Sequence, residues 1–85
     1  MIKNIIAAVR TDEDFEAALS LDTETIFMLD SNILTLEFTI KKAHEAGKKI
    51  FIHIDFTEGI GKDEYGLMFL KQCCVDGIIS TRTNL

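Results

Sequence analysis

IFIHIDFTEG, residues 50–59, alternates its side chains in a way that decides the fold. In an extended chain Ile50, Ile52, Ile54 and Phe56 fall on one face and Phe51, His53 and Asp55 on the other, because successive side chains of a strand point to opposite sides. One face is wholly apolar, while the other turns polar toward its end. This asymmetry predicts a strand whose outer face packs on helices and whose inner face rises into a ligand pocket, as in a parallel α/β barrel. An open sheet covered by helices on both sides would be apolar on both.

Three more runs pass from apolar to polar in the same direction: IIAAVRT at 5–11, IFMLDSN at 26–32 and GIISTRTN at 77–84. Strand starts near Asn4, Thr25, Lys49 and Gly77 recur at the spacing of successive βα units. The segments between them read as helices. Thr11 followed by Asp12, Glu13 and Asp14 makes a capping box, and Phe15, Ala18 and Leu19 give the first helix its apolar stripe. The second helix starts after Asp30, Ser31 and Asn32, any of which can cap, presents Ile33, Leu36, Ile40 and Ala43, and stops at Gly47. The third, from Lys62 or Asp63, places Leu67, Leu70 and Cys74 together with Met68 and Phe69 beside them, which puts Cys74 in the core. Its Gly66 weakens it by about 1 kcal/mol relative to alanine. The pattern is α/β, a parallel βαβαβαβ chain with right-handed crossovers. It fits half of a TIM-type barrel or, alternatively, a small open doubly wound sheet.

The 85 residues form one expected domain, 1–85, with a small core that self-association would help. Apolar residues are 47% of the chain, yet no uninterrupted run approaches the roughly 18 residues of a membrane span. MIKNIIAAV is followed by Arg10 and acidic residues where a signal-peptide cleavage region would stand. Cys73 and Cys74 are adjacent, which is neither a CxxC site nor an easy intrachain disulfide, so a reducing cytoplasm is expected. A net charge of −5 excludes a broadly basic nucleic-acid face and confines any RNA contact to a local patch. Lys41, Lys42, Lys48 and Lys49 gather around the end of the second helix, where cations oppose its dipole, and His44 reads as a solvated helix residue.

Parallel strands bring their polar ends to one side: Arg10, then Asp30, then His53, Asp55 and Glu58, then Ser80, Thr81, Arg82 and Asn84. Guanidinium, carboxylate, imidazole and hydroxyl groups together suit a small polar or anionic ligand, with Arg10, His53, Asp55, Glu58, Ser80 and Arg82 as the pocket rim. His53 and Asp55 fit a proton-transfer pair or an ordinary polar contact. The GIGKD segment, 59–63, offers Gly59, Gly61 and Lys62 as anion contacts. It lacks P-loop spacing, lies beside Asp55 and Glu58, which repel an anion, and also reads as a plain flexible turn. Asp30, Asp55 and Glu58 are too scattered to indicate a metal, and no cofactor is expected.

IIAAVRTDEDFEAAL, KAHEAGKKIFIHIDFTEGIGKD and VDGIISTRTNL resemble the N-terminal half of the glycerol-3-phosphate-responsive antiterminators, regulators of glycerol uptake operons, from about Asn4 to Leu85. The resemblance implies a TIM-type barrel that is a regulator and not an enzyme. With glycerol 3-phosphate bound, such a protein is expected to bind leader mRNA and prevent termination. LDSN at 29–32 stands where that family is usually Gly-rich. A TIM barrel needs about 250 residues and holds phosphate after strands seven and eight, so a half would lack that site. A homodimer or higher homo-oligomer closing an eight-stranded barrel is therefore expected. The competing readings are a structural half-barrel fragment that self-associates without native activity, and an aldolase- or isomerase-like enzyme using His53 and Asp55.

Overall fold

The computed structural model describes residues 6–61 and 63–80; Asn4, Lys62, Thr81, Arg82 and Asn84 lie outside the described residues. In chain order the elements are β1 (Ile6–Val9), α1 (Asp12–Leu19), β2 (Thr25–Met28), β3 (Ser31–Asn32), α2 (Ile33–Glu45), β4 (Lys49–His53), β5 (Thr57–Glu58), α3 (Glu64–Gln72) and β6 (Gly77–Ile79). A single 3₁₀ turn, Ile54–Phe56, separates β4 from β5.

β1, β2, β4 and β6 form one parallel sheet in that order, and β3 pairs with β5 in a small second sheet. The main sheet therefore follows chain order. Its helices share one core: Phe15 and Ala18 of α1, Leu36, Ile40 and Ala43 of α2, and Leu70 of α3 meet Val9, Ile26, Met28, Ile50 and Ile52 of the strands. Each fully buried aliphatic side chain contributes about 1.5–3 kcal/mol relative to exposure. A doubly wound sheet reverses its strand order at a switch point and carries helices on both faces. Among the described residues this sheet does neither, which fits the barrel reading and not the doubly wound alternative.

No helix among the described residues covers the other face. Ala8, Phe27, Phe51 and Gly77 stand in register across the four strands, and the Phe27 and Phe51 rings lie 5.1 Å apart. A side chain at Gly77 would start 2.3 Å from the Phe51 ring, so glycine here leaves the room that the ring occupies. Ile6, on the same face, is half exposed.

Side chains start the helices as expected. Thr11 accepts from the Asp14 N–H, Asn32 from Leu34 and Asp63 from Gly66, which selects Asn32 among the three candidates for α2. Four expectations need correction. First, α3 ends at Gln72, so Cys74 is exposed in a left-handed conformation, φ 66°, and Cys73 takes the core position instead. Burial, with Glu37 and Cys74 nearby, pushes the Cys73 thiol up from its ordinary pKa. Second, alternation stops at His53; the 3₁₀ turn keeps Ile54 buried but turns Phe56 outward to 57% exposure. Third, His44 is exposed but not merely solvated, because its Nε2 lies 2.9 Å from Asp76 Oδ2. Fourth, Lys48 does not oppose the α2 dipole in solvent: it is buried and donates to the Leu21 and Thr23 carbonyls at 2.9 and 2.6 Å, tying down the loop before β2.

Gly66 faces the turn before α3 so closely that an added Cβ would lie 2.0 Å from the Gly61 carbonyl oxygen and 2.8 Å from Ile60 Cγ2. Helix propensity alone favours alanine here by about 1 kcal/mol. The clash outweighs it, and Gly66→Ala is expected to lower the unfolding free energy by about 1–3 kcal/mol in urea titrations.

Asp76 couples three segments, accepting from the Ile50 N–H at 2.8 Å while meeting His44. Burial raises its pKa, but the Ile50 N–H, His44 and Lys49 outweigh burial and hold it below the ordinary 3.8. A carboxylate with a folded pKa below its unfolded one stabilises above the unfolded value, and that stability is lost as pH falls through the folded value. The side chain is a third exposed, so the contribution is modest, about 1 kcal/mol or less. Wild type should accordingly exceed Asp76→Asn in stability at pH 7, with the gap closing below pH 3.8 in parallel denaturations; a gap that persists in acid would exclude ionisation as its source.

Candidate functional site at the strand ends

The C-terminal ends of β1, β2, β4 and β6 are laced together by side chains. Arg10, after β1, reaches Asp30, after β2, at 3.3 Å; both are well exposed, so the pair is worth about 0.2–1 kcal/mol. The loops after β2 and β4 are joined more firmly by the β3–β5 pairing. Thr57 Oγ1 donates to the His53 carbonyl at 2.9 Å, and since its one proton is used there it accepts from Ser31 Oγ at 2.7 Å. Asn32 serves twice: Oδ1 caps α2 while Nδ2 donates to Glu58 Oε1 at 3.3 Å. Ser80, following β6, donates to Asp55 Oδ2 at 3.3 Å.

His53 ends β4 on the open face of the sheet, yet its side chain is only 8% exposed. The Phe56 ring lies 4.8 Å from the imidazole, and Asp55 Oδ2 is 3.8 Å from Nδ1, beyond hydrogen-bond range. Two shallow hollows open along the rim. One, about 420 Å³, lies between the starts of α1 and α2 and includes Arg10, Asp30, Ser31 and Asn32. The other, about 280 Å³, is lined by Asp30, Asp55, Phe56, Thr57 and Glu58. Its walls carry carboxylates and a hydroxyl, which favour hydroxyl donors over anions.

Of the predicted rim, Arg10, His53, Asp55, Glu58 and Ser80 stand along these strand ends, whereas Arg82 lies outside the described residues. His53, Asp55 and Ser80 come together; Arg10 instead pairs with Asp30. Gly59 sits over Ile33, and Gly61 lies against the Asp63 carboxylate that caps α3, while Lys62 is outside the described residues. The N-terminus of α3 is thus satisfied by the chain's own carboxylate. No group of three or more His, Cys, Asp or Glu side chains among the described residues is placed to hold a metal ion, and no helix among them is long and apolar enough to cross a membrane. Of the four clustered lysines, Lys42 pairs with Glu16 and Lys48 is used internally.

Residues 5–85 match the family model described as glycerol-3-phosphate responsive antiterminator. The chain belongs to that antiterminator family. It is 38% identical over 82 residues to the uncharacterized protein YgcP of Escherichia coli K12, covering 95% of this chain and 43% of that one. A crystal structure of a glycerol uptake operon antiterminator regulatory protein from Listeria monocytogenes superposes with a TM-score of 0.88 at 37% identity, over 96% of this chain and 45% of that one. An antiterminator-related protein from Thermotoga maritima gives 0.81 at 34% identity, over 96% and 46%. The chain spans less than half the length of each of these relatives.

Within this antiterminator-family sheet, residue-type reasoning missed Thr57, Ser31 and Phe56 as builders of the rim. Ser31 and Asn32 read from sequence only as helix caps, and Thr57 carried no motif. The signal that was available is the polar pair in each of the two loops, SN and TE, which is what a short inter-loop bridge needs. Thr57→Val keeps the shape but deprives the His53 carbonyl of its donor and the Ser31 hydroxyl of its acceptor. It is expected to cost about 1–2 kcal/mol in thermal unfolding, more than Ser31→Ala alone.

Proposed function

We propose that this chain senses glycerol 3-phosphate at the strand-end rim and, with ligand bound, engages a leader transcript to prevent termination in glycerol-utilisation genes, as a cytoplasmic regulator and not an enzyme. The family match over residues 5–85 carries this reading. The rim supports it with polar groups of the kind a small polyol phosphate requires, Arg10, His53, Asp55, Glu58 and Ser80 along the strand ends. A net charge of −5 is compatible with transcript recognition through a local surface and argues against a general basic face.

Ligand that binds only the folded state stabilises it by about 2.7 kcal/mol at a concentration 100 times Kd. Millimolar glycerol 3-phosphate should therefore raise the melting temperature by several degrees, and gel-shift assays should show leader RNA retained with the ligand and released without it. An unchanged melting temperature together with ligand-independent RNA binding would sink the proposal.

A further inference from the structure

We infer that the cleft between α1 and α2 is a docking notch for a protein segment that presents an arginine with a leucine one helical turn away. The cleft, about 190 Å³, is lined by Phe15, Thr35, Phe38 and Thr39, with Asp12 and Glu16 of α1 completing its wall. Phe15 is buried, whereas Phe38 is 65% exposed. The cleft runs on into the hollow beside Arg10 and Asp30, with which it shares Asp12, Thr35 and Thr39, and Leu34, 88% exposed, borders that stretch. Leu34 and Phe38 lie one turn apart on α2, so the surface offers a partner two apolar contacts about 6 Å apart.

Charge and hydrogen-bonding capacity select the occupant. Thr39 Oγ1 donates to the Thr35 carbonyl and Thr35 Oγ1 to the Asn32 carbonyl, so both hydroxyl protons are used within α2. The side chains lining the cleft are left with acceptors and no donors, which disfavours a phosphate or any other acceptor-rich group. An arginine matches both features: its methylene stem lies along the apolar walls, and its guanidinium carries five donors and no acceptor to the carboxylates. The chain makes a contact of this kind itself, since Lys42 Nζ donates to Glu16 Oε2 and lies 5.3 Å from the centroid of the Phe38 ring. Lys42 uses Oε2, so the partner's guanidinium takes Glu16 Oε1 and the Asp12 carboxylate.

Amide NMR of the intact chain tests the notch with a blocked, alanine-based helical peptide carrying one leucine and, four residues on, one arginine. Binding should move the amides that line the cleft. Citrulline in place of the arginine keeps the shape and removes the charge, and should weaken binding by about fivefold or more. Asp12→Asn combined with Glu16→Gln should weaken it to a similar degree, while Lys42→Met, which frees the second Glu16 oxygen, should tighten it. Equal binding of the citrulline peptide, or shifts confined to the rest of the chain, overturns the notch. So does leader RNA that moves the same amides, which gives the face to nucleic acid, and so does self-association that Phe38→Ser abolishes, which gives it to a second copy.

Discussion

Burial of Ile50 and Ile52 beneath α2 is the constraint on which the rest depends. β4 lies between β2 and β6, so its backbone is paired on both sides and its register fixes theirs. Moving β4 by one residue would carry both isoleucines, now fully buried, to the open face and put Phe51 and His53 against the helices. With the isoleucines held, Phe51 must lie against Phe27 in a tilted contact and fill the space over Gly77, and His53 must end the strand at the rim. The site's position is thus a by-product of core packing. Asp76 reinforces the same register from below by accepting from the Ile50 N–H.

Most of the architecture was readable because it rests on short-range rules. The strand starts at Thr25, Lys49 and Gly77 coincide with those observed, and caps at Thr11, Asn32 and Asp63 arise from side chains that bond two or three residues along the chain. What escaped notice depends on contacts distant in sequence. Nothing near Lys48 announces that its ammonium will meet carbonyls at Leu21 and Thr23, and nothing near His44 announces Asp76. Cys74 was misplaced because periodicity extends a helix past its real end, which here is a backbone choice made at Cys73 and Cys74. Gly66, a propensity defect in isolation, is a packing requirement once Gly61 is brought against it. For the site, the residue types on the rim were legible while their pairings were not: His53 and Asp55 meet because the chain turns after β4, and the alternation that placed them on one face ends before Asp55.

The charge distribution along the rim is uneven. Arg10 is bound to Asp30 at one side, and carboxylates dominate beneath the loops after β2 and β4. The turn before α3 is occupied by Asp63. Among the described residues the acids and hydroxyls of this rim thus outnumber its single guanidinium, Arg10, whose charge is already met by Asp30.

The β3–β5 pairing has a further consequence, for how this surface can change over evolutionary time. In α/β barrels the segments above each strand commonly vary one by one, which lets new specificities arise by local substitution or loop exchange. Here the segment above β2 and the one above β4 share backbone pairing, the Ser31–Thr57 bond and the Asn32–Glu58 bond, while Thr57 also holds the strand end that bears His53. Neither can be exchanged alone without breaking its partner's bonds. The two loops are held as one unit, so a side-chain change in SN at 31–32 removes a bonding partner from TE at 57–58.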